Sequence, residues 1–212
     1  MAVDRKTLLL YAVTDRGALR GRPLKKAVED AIIGGATLVQ LREKELSEDE
    51  FIAEALEIKA VCHARGVPLI INDSLSVALR SGADGVHVGL EDAPVAEIRR
   101  AAGPDFIIGA TAKTVGQALA AQEAGADYLG VGAVFPSPTK ENAVRITTEE
   151  LRDICAAVSV PAVAIGGVTA GSMDALRDTG IAGVAVVSAL FAAEDIKAAA
   201  AELRRKAEEI VC

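Results

Sequence analysis

Short apolar runs alternate with longer stretches of helical spacing along the whole chain. The short runs are Leu8–Val13, Leu38–Arg42, Leu69–Ile71, Val86–Val88, Phe106–Gly109, Tyr128–Val134, Ala162–Ile165 and Val184–Val187. Nearly continuous apolarity over so few residues predicts strands covered on both faces. Helical stripes lie between them: Leu24, Ala27, Val28, Ala31 and Ile32; then Phe51, Ala55, Ile58 and Cys62; and last Ile196, Ala199, Ala200, Leu203, Ala207 and Ile210. Ser47 with Glu50, Thr114 with Gln117, and Thr147 with Glu150 have the spacing of capping boxes. Gly66, Gly82, Gly103, Gly125 and Gly180 stand where helical runs should stop. A weak internal repeat pairs residues 82–89 with 125–132, each a helix stop followed at once by a strand. Eight strands alternating with eight helices predict an α/β fold, a single-domain (β/α)8 TIM barrel over residues 1–212, with catalysis on the loops after the strands. A doubly wound open sheet is the alternative.

Composition narrows the partners. The 212 residues carry a formal charge of -7 and only 3% aromatic residues, which argues against a nucleic-acid surface. No apolar run is long enough to span a bilayer, and the first residues make a poor signal peptide. Three cysteines, Cys62, Cys155 and Cys212, lack metal-ligand spacing and read as reduced thiols. The expectation is a cytoplasmic protein with small-molecule partners, no nucleic acid and no membrane; homo-oligomerisation is left open. An acidic protein that binds anions must gather positive charge locally, so basic residues near strand ends matter.

The stretch from Leu69 to Asp92 leaves a carboxylate past each of two consecutive strands, Asp73 and Asp92. In a parallel sheet both strand ends face one rim. Two carboxylates there suit Mg²⁺ carried in on a phosphate; the alternative is that each caps the helix that follows. Alternation along the second strand puts Gln40, Arg42 and Lys44 on one face and Val39 and Leu41 on the other. Those polar groups would meet an anion, or an internal ion pair to Asp15, Glu43 or Asp73. Thr111, after the fifth strand, offers a hydroxyl. The sixth strand runs into a long loop whose Ser137, Thr139 and Lys140 suit a phosphate. Gly166-Gly167 after strand seven and Val187-Ser188 after strand eight let backbone amides approach an oxyanion. His63 reads as structural and His87 as a satisfied core histidine. No serine elbow, zinc helix or dinucleotide fingerprint is present, so the chemistry needs no protein nucleophile.

Together the segments YAVTD (Tyr11–Asp15), QLREK (Gln40–Lys44), IIND (Ile70–Asp73), GVHVGLED (Gly85–Asp92), FPSPTK (Phe135–Lys140), AIGGV (Ala164–Val168) and VAVVS (Val184–Ser188) resemble the thiamine phosphate synthase family. Ser137 stands where that family usually has Thr, Thr111 where Ser is common, and Leu90 where Gln is frequent. The resemblance implies that hydroxymethylpyrimidine diphosphate and a thiazole phosphate join to give thiamine phosphate and pyrophosphate. It implies that Asp73 and Asp92 hold Mg²⁺, and that Arg42, Lys44, Asn72 and Lys140 contact the diphosphate. Gln40 would lie near the pyrimidine, Ser137, Thr139, Gly167, Val187 and Ser188 would hold the thiazole phosphate, and Thr111 would lie between the substrates. Arg42, Lys44, Thr111 and Lys140 are the implied catalytic set. Rival readings are a thiazole tautomerase on the same barrel, a phosphosugar isomerase, and a non-catalytic sensor. The metal pair and Lys113, where the tautomerase should carry histidine, speak against the first.

Overall fold

The computed structural model describes residues 3–136 and 144–211. Eight parallel strands close into a barrel in chain order: β1 (Leu10–Val13), β2 (Leu38–Leu41), β3 (Leu69–Asn72), β4 (Gly85–Val88), β5 (Ile107–Ala112), β6 (Tyr128–Gly132), β7 (Ala162–Ile165) and β8 (Gly183–Val186). Around them lie α1 (Leu24–Ile33), α2 (Glu48–His63), α3 (Leu75–Ser81), α4 (Val95–Ala102), α5 (Val115–Glu123), α6 (Thr148–Ala157), α7 (Ser188–Phe191) and α8 (Ile196–Ile210). The expected (β/α)8 barrel is therefore the fold.

Alternation along each strand sorts side chains into two cores. Val39, Leu41, Leu69, Ile71, Val86 and Val88 face outward into a continuous layer with the helix stripes. Leu8, Tyr11, Val13, Leu38, Ile70, Tyr128, Val163 and Ala185 fill the barrel interior. Burial on both faces is why these strands read as unbroken apolar runs.

Four elements depart from expectation by more than a single residue. Residues Arg5–Leu8 form a 3-10 turn capped by Asp4, so β1 begins only at Leu10. Leu8 instead closes the barrel floor, and its carbonyl passes so near Gly183 that a Cβ there would stand 2.0 Å away. β5 runs on to Ala112, which places Thr111 in the strand rather than in a loop. β6 stops at Gly132, short of Val134. No α-helix connects β7 to β8; the link is a 3-10 turn, Met173–Leu176, and β8 is followed by both α7 and α8. The segment after β7 is shaped by Thr169 and Ser172, whose hydroxyls bond each other's backbone amides. These local bonds compete with a helix.

The start signals appear as read, and the stop glycines follow α-helices at all positions but Gly180, which follows the 3-10 turn after β7. Ser47 and Thr147 form complete boxes with Glu50 and Glu150. Thr114 accepts from the Gln117 amide, while the Gln117 side chain reaches back to the Lys113 amide. Gly66, Gly82, Gly103, Gly125 and Gly180 all have positive φ, where a side chain would be strained.

Candidate active site at the C-terminal mouth of the barrel

The carboxylates meet. Asp73 and Asp92 lie within hydrogen-bonding reach of each other, and partial loss of water together with the Asp92 carboxyl pushes Asp73 up to about 6. The Asn72 amide and the positive charge of Arg42 pull the other way and do not cancel the effect. Neither carboxylate caps a helix: Ser74 caps α3 through its bond from the Val77 amide, and Pro94 stands at the start of α4. Asp92 Oδ2 instead accepts the Gly89 amide at 2.7 Å, holding the β4 loop in place. Asp73 sits in the left-handed region with φ 62°, its amide bonded to the His87 carbonyl at 2.8 Å. The Ser74 amide closes back on the Asn72 carbonyl at 2.7 Å, a γ-turn around Asp73. Such a turn is rare and strained, and here it directly follows β3 at the mouth.

Arg42 leaves β2 as the alternation argument expects. Its backbone amide is fixed by the buried Thr14 hydroxyl at 2.9 Å, and its guanidinium contacts Asp15 at 3.3 Å. Of the ion pairs weighed for this strand end, the one to Asp15 is made; Glu43 pairs instead with Arg16. Lys44 is exposed, and among the described residues it makes no ion pair. Gln40 is 4% exposed and points into the barrel, bonded to Tyr11.

Across the mouth, Gly167 has φ 66°, and a Cβ there would lie 2.3 Å from the Pro136 carbonyl oxygen. The Phe135 amide bonds the Gly166 carbonyl at 2.9 Å. The double glycine thus seats the chain leaving β6 on the end of β7, a need separate from any anion. Val187 is partly buried at the end of β8, and Ser188 opens α7. Ser137, Thr139 and Lys140 lie outside the described residues. An open cleft of about 350 Å³ lined by Arg22, Lys26, Asp30 and Glu194, among others, shares no residue with this mouth.

Sequence reasoning passed over the interior. Tyr11, Tyr128 and His87 were legible only as core residues, yet they connect Gln40 to Thr111: the Tyr11 and Tyr128 hydroxyls are 2.7 Å apart, Tyr128 Oη is 3.1 Å from His87 Nδ1, and His87 Nε2 is 3.2 Å from Thr111 Oγ1. The signal in the sequence was two tyrosines and a histidine placed in strands whose other inward residues are mostly aliphatic. His63 is bonded to Asp84 at 2.8 Å on the outside. Burial pushes the Cys62 thiol up to about 12, leaving it unreactive.

A closed (β/α)8 barrel whose strand ends gather paired carboxyls, a guanidinium, amides and a hydroxyl at one mouth is a barrel enzyme for small polar molecules. The family model of thiamine monophosphate synthase matches residues 10–190. A thiamine-phosphate synthase of Clostridium tetani is 48% identical over 194 residues, covering 92% of this chain and 93% of the relative. Thiamine-phosphate synthase 2 of Streptococcus pneumoniae is 46% identical over 209 residues, covering 99% and 100%. Among solved structures, the thiamine phosphate pyrophosphorylase of Pyrococcus furiosus superposes with a TM-score of 0.90 at 38% identity, covering 98% of this chain and 99% of that one. The chain belongs to the thiamine monophosphate synthase family and is a transferase of thiamine biosynthesis.

Proposed function

We propose that this mouth joins hydroxymethylpyrimidine diphosphate to a thiazole phosphate, or to its carboxylated form, giving thiamine phosphate and pyrophosphate. The observation that carries the reading is the facing carboxyl pair, in which Asp73 is raised by loss of water and by Asp92. Two anions pressed together without a helix to cap are relieved by a hard divalent cation, and all-oxygen ligation completed by water and phosphate suits Mg²⁺. When bound between Asp73 and Asp92, Mg²⁺ would neutralise charge on the departing diphosphate.

The side chains divide the remaining work. Arg42, Lys44, Asn72 and, by family resemblance, Lys140 bind the diphosphate and match its growing charge. The bond between the pyrimidine methylene and the diphosphate oxygen breaks, and the electron pair leaves with pyrophosphate. Gln40 orients the pyrimidine. Ser137, Thr139, Gly167, Val187 and Ser188 hold the phosphate of the thiazole, whose ring nitrogen supplies the electron pair for the new carbon–nitrogen bond. Thr111 lies between the two rings. Positioning of this kind replaces a protein nucleophile.

The test follows pyrophosphate from purified protein and both substrates, with and without Mg²⁺. Release should require the metal and the thiazole partner. Asp92→Ala should lower kcat by at least about 100-fold with the fold intact, as loss of one such electrostatic contact does. A variant within a few-fold of wild type would remove the metal assignment, and tautomerisation without pyrophosphate release would favour the tautomerase.

A further inference from the structure

Five polar side chains from five strands form one unbroken line through the barrel. Gln40 Nε2 donates to Tyr11 Oη at 2.6 Å, the line passes through Tyr128 and His87, and it ends on Thr111. Register assembles it: Asn72 stands beside His87, His87 beside Gly109, and Gly109 beside Tyr128. Space for it comes from glycines. A Cβ on Gly109 would lie 2.3 Å from Tyr128 Oη and 2.4 Å from His87 Nδ1, and one on Gly130 would lie 3.0 Å from His87 Cε1.

The chemistry of the line allows one direction. A carboxamide nitrogen donates and cannot accept, and a phenol has a single hydrogen. Tyr11 accepts from Gln40, and the one remaining partner for its own buried hydrogen among the described residues is Tyr128 Oη, so Tyr11 donates to Tyr128; by the same count Tyr128 donates to His87 Nδ1. His87 is buried, and a ring that accepts at Nδ1 has no hydrogen there and is neutral. A neutral imidazole that accepts at Nδ1 carries its hydrogen on Nε2, where Thr111 Oγ1 receives it. We infer that this line is directional and that its output is Thr111, whose oxygen is held by His87 while its own hydrogen is turned into the mouth as a donor. The ligand group it meets is a hydrogen-bond acceptor, a ring nitrogen or phosphoryl oxygen. His87, Tyr128 and Tyr11 are then positioning residues that touch no substrate. The inference rests on the synthase reading for the ligand and not for the direction of the line.

The test separates the two. Nitrogen-15 spectra of the histidine rings in the full chain, with His63→Gln to assign the second histidine, should show His87 as the Nε2–H tautomer. Gln40→Glu, read at about pH 8.5 with an infrared carboxylate band confirming that the buried glutamate is ionised and so only accepts, should reverse every bond and give the Nδ1–H tautomer. A wild-type Nδ1–H tautomer overturns the inference, and so does an unchanged tautomer in Gln40→Glu; neither result depends on which reaction the protein catalyses. In turnover, His87→Leu should lower kcat by about 10- to 100-fold, with the KM for the pyrimidine within about three-fold of wild type. His87→Gln, which keeps a donor for Thr111, should recover about ten-fold of that loss. Equal losses in both variants would show a packing role only and overturn the positioning role.

Discussion

Asp73 concentrates the tension of the mouth in one residue. It holds a positive φ and faces a second carboxyl, and its folded pKa of about 6 lies above the unfolded value. A raised carboxyl pKa means that the folded chain binds the proton more tightly than the unfolded one, so stability falls as pH rises from about 4 to about 6 and stays lower above that. Asp73→Asn, which also tolerates a left-handed backbone, should therefore raise the metal-free melting temperature at pH 8. The gain should shrink towards pH 4, and saturating Mg²⁺ should narrow it from the wild-type side; calorimetry across that range checks both. The same proton would compete with the proposed metal, so the Mg²⁺ concentration for half-activation should climb as pH drops below about 6. At this scale the sequence was partly legible. Alternation gave the inward set of Gln40 and Arg42, and spacing put both carboxyls on one rim. It did not separate Asp15 from Asp73 as the partner of Arg42, because that choice depends on side-chain reach across the mouth. Nor did it show that Asp73 would leave the capping to Ser74.

The elements are held by local chemistry that one sequence displays well. Strands of four to six residues were visible because both faces are buried, and helix starts were visible because Ser47 and Thr147 close complete boxes. Thr147 also fixes where the loop after β6 must rejoin the fold, since the Ile146 amide bonds the Ala133 carbonyl at 2.9 Å. Thr147→Ala should cost about 1 kcal/mol in urea unfolding, with the β6 end loosened more than the β2 end by hydrogen exchange. The element boundaries that failed had local competitors. Leu8 and Leu9 are as apolar as β1, but Asp4 starts a turn ahead of them; Thr169 and Ser172 bond each other where a helix was expected. β5 outran its expected end because Thr111 is polar yet points inward to His87. An apolar-run rule reads such a residue as a loop.

Closure of the barrel joins the first strand to the last, and α1 packs against α8 behind that seam. Arg22 reinforces it: its guanidinium donates to the carbonyls of Leu19, Phe191 and Ala193. α8 covers the seam with Ile196, Ala200, Leu203, Ala207 and Ile210. Arg22→Ala should cost about 2 kcal/mol, since charged hydrogen bonds contribute about 1.5–3 kcal/mol each and water replaces part of the loss. Ending the chain after Glu194 should leave β1 and β8 bare and abolish cooperative unfolding by calorimetry. The closed order of strands followed from the rhythm of the sequence, but the line from Gln40 to Thr111 did not. Its partners stand 24 to 117 positions apart, and only register brings them together. The glycine that seats the Pro136 carbonyl has a last consequence. Because position 167 has no room for a methyl group even without a phosphate, a descendant that had abandoned the reaction would still be compelled to keep it. The aspartate at 73, once the proposed cation no longer called for it, would be among the first to drift, so in telling a working copy from a relic it is the acid that testifies.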